Sequence, residues 1–108
     1  MANRRMFART VIESGEFFAL SNEAKVLYFY MGMQADDDGF AYTNMTTRAL
    51  DIPETAVEEL VAARLVERMF DDKDVYHINH WRENNQLRKD RHTPSQYSYL
   101  LDDSEDDE

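Results

Sequence analysis

"NMTTRALDIPETAVEELVAARLVERMFDDKDVYHINHW", residues 44–81, decides the fold. Its opening, "NMTTRALDI", predicts a short helix capped by Thr43 or Asn44, because either side chain can hydrogen-bond the free backbone groups of a first turn. Pro53 suits the first turn of a second helix, where a missing N–H costs nothing. Glu54 is favourable near that helix's positive end. In "PETAVEELVAARLV" (53–66), Val57, Leu60 and Val61 form an inward stripe. Two strand candidates follow, "LVERMF" (65–70) and "VYHINHW" (75–81), joined by a polar tip, "DDKD" (71–74). On the N-terminal side, "FAY" (40–42) reads as a short strand after the turn "DDDGF" (36–40). Gly39 there can take positive φ at little cost. Further upstream, Ser21 is a good N-cap for "NEAKVLYFYMGMQA" (22–35), with Glu23 in its first turn. Ala24, Leu27, Tyr28 and Met31 fall at helical spacing, and Val26, Phe29, Tyr30 and Met33 add apolar surface on the other sides. A helix this apolar is either central to its domain or half of an oligomer interface.

The order is helix, short strand, helix, helix, strand, tip, strand. It predicts an α+β winged helix, with a helix-turn-helix followed by a C-terminal β-hairpin whose wing is residues 71–74. A helical extension, roughly Arg82 to Lys89, follows Trp81 and ends before Pro94. Residues 1–100 then form one domain with a basic C-terminal extension. Residues 101–108 form an acidic tail that repels itself and is expected to be disordered.

The 108 residues carry a formal net charge of -10. Asp102 to Glu108 hold six acids and one Ser, so more than half of the excess belongs to the tail. An apolar fraction of 43% is enough for one modest core. Cysteine is absent, which removes disulfides and thiolate metal sites and fits a reducing compartment. No apolar run of signal-peptide length follows the N-terminal arginines. The longest apolar segment, "VLYFYMGM" (26–33), is too short to span a bilayer. A cytoplasmic protein with no membrane association is expected.

Positive charge gathers in "HWRENNQLRKDRHTPSQY" (80–97), where Arg82, Arg88, Lys89 and Arg91 make up a third of all Lys and Arg. On a helix, Arg82, Asn85 and Lys89 share one face. Asn84, Arg88 and Arg91 or His92 form an adjoining one. Arg, Lys and Asn hold phosphates and base edges, so this set is the candidate DNA-binding site, with Arg4 and Arg5 as a second arm. The competing reading is internal pairing, with Asp36 to Asp38 or the tail neutralising the cluster.

The second helix of the helix-turn-helix is a poor reader of DNA. Its outward positions include Glu54, Thr55, Glu58 and Glu59, and Arg64 at its end is its one cation. In the wing, Lys73 is a phosphate-contact candidate among three acids. Asp36, Asp37 and Asp38 are consecutive and lack the alternating geometry of a calcium loop, so turn formation and a pairing with an arginine, of the basic cluster or of a neighbouring subunit, are expected. His77 and His80, three apart on a strand, point to opposite faces and cannot share a metal. No nucleophile motif or glycine-rich phosphate loop occurs, so no catalysis, cofactor or metal is expected. Tyr97, Tyr99, Leu100 and Leu101 form an apolar patch that either docks back on the domain or meets a partner.

Three segments together carry a family resemblance. "ANRRMF" (2–7), "LYFYMGMQADDDGF" (27–40) and "HWRENNQLRKDRHTPSQY" (80–97) resemble the N-terminal domain of phage replisome-organiser proteins, which are DnaD-like replication initiators. The resemblance spans residues 2 to about 97. It implies a winged helix acting in initiation of phage or prophage DNA replication. It also implies DNA binding, self-association, or docking to a helicase loader or primosome component. Family members usually continue into a second domain, so the chain is expected to be either an N-terminal fragment or a short relative with another role. Tyr30 and Gln34 stand where the family leads one to expect a His and a basic residue. Two other function classes fit the composition. One is an acidic DNA mimic that inhibits a host nucleic-acid-binding protein, as anti-CRISPR proteins can. The other is a transcriptional regulator, weakened by the lack of a basic recognition helix.

Overall fold

Ser21 starts the central helix of the domain. Its Oγ accepts a hydrogen bond from the Ala24 N–H at 3.1 Å, which satisfies one of the free donors of the first turn. The computed structural model describes residues 6–81 and 96–100. Within them run α1 (Arg9–Ile12), α2 (Gly15–Phe18), α3 (Asn22–Gln34), β1 (Phe40–Ala41), α4 (Asn44–Ala49), α5 (Glu54–Ala62), β2 (Val66–Arg68) and β3 (Tyr76–Ile78). A 3-10 turn follows at Ser98–Leu100. From α3 to β3 this is the order read from the sequence. The fold class is α+β, as expected. The three strands form one antiparallel sheet in the order β1-β3-β2, with Phe40 opposite His77 and Val66 opposite Ile78.

The core lies between α3, α5 and the sheet. Leu27, Tyr28 and Met31 of α3 are fully buried, as are Leu60 of α5, Val66 of β2 and Ile78 of β3 to within a few per cent. Each such side chain stabilises the fold by about 1.5–3 kcal/mol. Along one flank of α3 the core continues, where Phe7, Phe17, Tyr28 and Phe29 interlock. Phe7 meets Phe29 edge-on at 5.0 Å, and Phe17 meets Tyr28 at 5.5 Å. Gly32 permits this, since a Cβ there would lie 2.5 Å from the Phe7 ring. Phe7 thus packs directly on the backbone of α3.

Both short helices end in the same way. After α5, Arg64 takes φ +61, its N–H donates to the Val61 carbonyl, and the Leu65 N–H donates to the Leu60 carbonyl. After α4, Asp51 takes φ +54, and the Ile52 N–H donates to the Thr47 carbonyl. These are Schellman endings, each with a non-glycine residue in the left-handed position.

Four expectations need correction. The one-turn helices α1 and α2 precede the predicted order. Ser14 caps α2 by accepting from the Phe17 N–H, a signal too short to stand out in a periodicity reading. Pro53 is the N-cap of α5, with extended ψ of 152°, and lies just outside the first turn. β3 ends at Ile78, so His80 sits in the turn beyond it, and only His77 is a strand residue. Glu59 does not face outward but turns toward the start of α3. The extension from Arg82 to Lys89 and the acidic tail lie outside the described residues.

Candidate functional site

Between α4, α5 and the hairpin tip runs a cleft of about 290 Å³, lined by Thr47, Glu54, Glu58, Arg68, Lys73 and Asp74 among others. With Asp71 and Asp72 it holds five carboxylates against two cations. Glu54 and Glu58 are exposed, as read from the sequence. Glu58 Oε2 accepts from Arg68 Nη2 at 2.8 Å, and Arg68 Nε donates to the Tyr76 hydroxyl at 3.2 Å. The Tyr76 hydroxyl first, and then Glu58, hold the guanidinium well above its ordinary range. The charge of Arg68 is therefore engaged within the cleft.

Lys73 stands at the exposed tip with its Nζ 5.0 Å from the centroid of the Phe70 ring. That contact contributes about 0.5–1 kcal/mol at an exposed site. Lys73 is the described member of the predicted DNA-binding set. Arg4, Arg5, Arg82, Asn85, Arg88, Lys89 and Arg91 lie outside the described residues.

The structure does show how the chain is held on both sides of the basic segment. Trp81 is buried, and its Nε1–H donates to the Asp37 carbonyl at 2.9 Å. Its ring packs on Gly39, whose φ is +92 and where a Cβ would come within 2.6 Å of the indole. After the segment, the Tyr97 ring lies 5.6 Å from Phe40 and 6.1 Å from Phe70. Gln96 Nε2 donates to the Tyr42 hydroxyl at 3.4 Å. A hydrogen bond between the Tyr97 and Tyr42 hydroxyls raises the Tyr97 phenol above its usual range. Tyr97 thus docks back on the domain, while Tyr99 is exposed. Leu101 lies outside the described residues.

The acidic triplet builds a turn, as expected, while the basic cluster of the expected arginine pairing lies outside the described residues. Asp36 Oδ1 accepts from the Asp38 and Phe40 N–H groups at 3.0 and 3.1 Å, and the Gly39 N–H donates to the Asp36 carbonyl. The Asp38 carbonyl lies 3.0 Å from His77 Nε2. Among the described residues no group of three or more His, Asp or Glu is placed to hold a metal.

Two carboxylates have roles the sequence reading missed. Glu59 turns toward α3, where its carboxylate accepts from the Ser21 N–H at 2.8 Å and the Ser21 hydroxyl at 2.6 Å. The Ser21 hydroxyl first, then its N–H, lower the Glu59 carboxyl below the usual range, against a smaller opposing effect of burial. Asp74 leaves the tip and caps α4. It accepts from the Thr43 N–H at 2.9 Å, the Thr43 hydroxyl at 2.6 Å and the Asn44 N–H at 2.9 Å. The sequence shows only that no local acid is placed to do this. A capping box needs Glu or Gln at the third helical position, and α3 and α4 have Ala24 and Thr46 there. Each cap therefore lacks a local acid, and a distant one supplies it.

Comparison of the chain with family models, curated proteins and solved structures gives no match. No helix among the described residues is long and apolar enough to cross a membrane.

Proposed function

We propose that this chain is a winged-helix domain acting in initiation of phage or prophage DNA replication, as the resemblance of its three segments implies. In this reading it self-associates, docks replisome partners and binds DNA through phosphate contacts. The sheet order β1-β3-β2 supports the winged helix, because the third strand of that fold lies between the first two. The same reading draws the phosphate contacts away from the helix-turn-helix. The observation that carries this is the charge of the helix–hairpin cleft, five carboxylates against two cations with Arg68 already paired to Glu58. Such a surface repels a duplex. Positive charge for DNA then comes from Arg82, Arg88, Lys89 and Arg91, with Asn85 as a hydrogen-bonding neighbour, from the Arg4–Arg5 arm, and from Lys73 at the rim. The anchors at Trp81 and Tyr97 fix both sides of that segment to the domain. Mobility shifts with Arg88→Ala plus Arg91→Ala test the assignment. Loss of binding supports it, and unchanged binding refutes it.

A second reading rests on the same cleft. A protein face that presents carboxylates where a winged helix would meet DNA fits an acidic decoy for a basic host protein. Tight binding to a nucleic-acid-binding protein, competed by DNA, would favour it over the first.

A further inference from the structure

The outer side of α3 is apolar and has no partner within the described domain. Glu23, Val26, Tyr30, Met33 and Gln34 lie within about 100° of one another around the helix, given 100° per residue. Val26 is 43% exposed, Tyr30 44% and Met33 53%. The stripe does not end with the helix. Gln34 Oε1 accepts from the Thr46 hydroxyl at 2.8 Å and so ties the end of α3 to α4. Gln34 also lines a largely apolar groove with Tyr42, Met45, Arg48, Ala49 and Asp74, whose carboxylate is turned to Thr43 and Asn44. Tyr42 is 49% exposed there and Met45 78%. Stripe and groove form one surface, of the kind that marks an interaction site.

We propose that this surface pairs with the same surface of a second copy of the chain, α3 against α3 in antiparallel orientation, with Tyr30 nearest the two-fold axis. This rests on the self-association part of the reading above and is independent of its DNA-binding part. Area is the first argument. With large apolar side chains offering roughly 150–250 Å² each, the exposed parts of Val26, Tyr30, Met33, Tyr42 and Met45 give roughly 500 Å² per copy. A pair buries about 1,000 Å² from them alone, the level a specific interface must clear. Glu23, Gln34 and Arg48 at the rim add to it. Charge is the second argument. A two-fold axis across α3 sets the helices antiparallel. That brings the Glu23 end of one copy toward the Arg48 groove of the other. A parallel pairing would set Glu23 against Glu23, which is unfavourable.

The chain lacks cysteine, so a single introduced thiol reports proximity cleanly. Tyr30→Cys under mild oxidant is expected to give a disulfide-linked dimer, and Asp72→Cys at the hairpin tip is not. By light scattering, the wild type is expected to be dimeric at micromolar concentration. Met33→Glu and Met45→Glu, both at exposed positions and checked for folding by circular dichroism, are expected to weaken dimerisation by roughly thirtyfold or more, the loss of a central contact. If the wild type is dimeric but both Glu variants remain so, this surface is wrong and self-association stands. A disulfide-linked dimer from Asp72→Cys, with none from Tyr30→Cys, overturns it in the same way. A strictly monomeric wild type overturns both the surface and the self-association on which it rests.

Discussion

Replacing Asp74 by Ala removes one carboxylate from a loop and is expected to destabilise a helix that begins 30 residues earlier in the chain. The Asp74 oxygens serve the Thr43 N–H, the Thr43 hydroxyl and the Asn44 N–H. Thr43 is 3% exposed, so its two donors regain little water when the carboxylate goes. Asn44 is exposed, and its N–H rehydrates. Hydrogen bonds to a charged group contribute about 1.5–3 kcal/mol each, and loss of an N-cap costs about 0.5–2 kcal/mol. Allowing for rehydration, Asp74→Ala is expected to cost about 2–4 kcal/mol. At about 4–8 °C per kcal/mol for a domain of this size, Tm falls by roughly 10 °C or more. Asp74→Asn keeps one acceptor oxygen and should lose about half as much. Asp71→Ala and Asp72→Ala, exposed neighbours in the same tip, should stay within about 0.5 kcal/mol. Urea and thermal unfolding followed by circular dichroism measure all four. Asp74→Ala as mild as Asp71→Ala would mean that the tip is solvated throughout and that Asp74 caps nothing.

Glu59 makes the matching prediction for pH. Its folded-state carboxyl is lowered by Ser21, so its contribution is present above the ordinary carboxylate range and lost as pH falls through the folded value. Glu59→Gln is expected to be about 1–2 kcal/mol less stable than wild type at neutral pH. The gap between their urea midpoints should close on acidification, and a gap unchanged with pH would contradict the capping role. Arg64 occupies the left-handed position after α5 with φ +61. Arg64→Gly removes the steric cost of a side chain there and should raise stability by about 0.5–1 kcal/mol, read as a higher Tm. No gain would mean that the Arg64 side chain compensates for its own strain.

What was legible in the sequence was local. Ser21, Gly39, the inward stripe of Val57 and Leu60, and the acidic tip between two β-rich runs each carry their meaning within a few residues. The element order from α3 to β3 follows from them. Glu59 read as solvent-facing because helix spacing sets it beside Glu58, yet its partner Ser21 lies 38 residues away. Asp74 read as wing for the same reason. Both errors concern carboxylates whose bonds span the fold, and no window of sequence contains both ends. Helices α1 and α2 are single turns, too short for apolar periodicity to register. At the candidate site, the outward carboxylates of α5, Glu54 and Glu58, were readable from helix spacing, and both are exposed. The pairing of Arg68 with Glu58 and Tyr76 required the hairpin register that sets Arg68 opposite Tyr76.

If phosphate contacts come from the basic segment and not from the helix–hairpin cleft, a DNA-binding titration against salt separates the two, with wild type beside Arg88→Ala plus Arg91→Ala, and beside Lys73→Ala. Each phosphate contact contributes about 0.9 to the slope of log affinity against log salt. The double variant is expected to bind far more weakly and to flatten the slope by about 1.8, while Lys73→Ala changes it by at most about 0.9. A double variant with the wild-type slope, or binding abolished by Lys73→Ala alone, would place the contacts in the cleft instead.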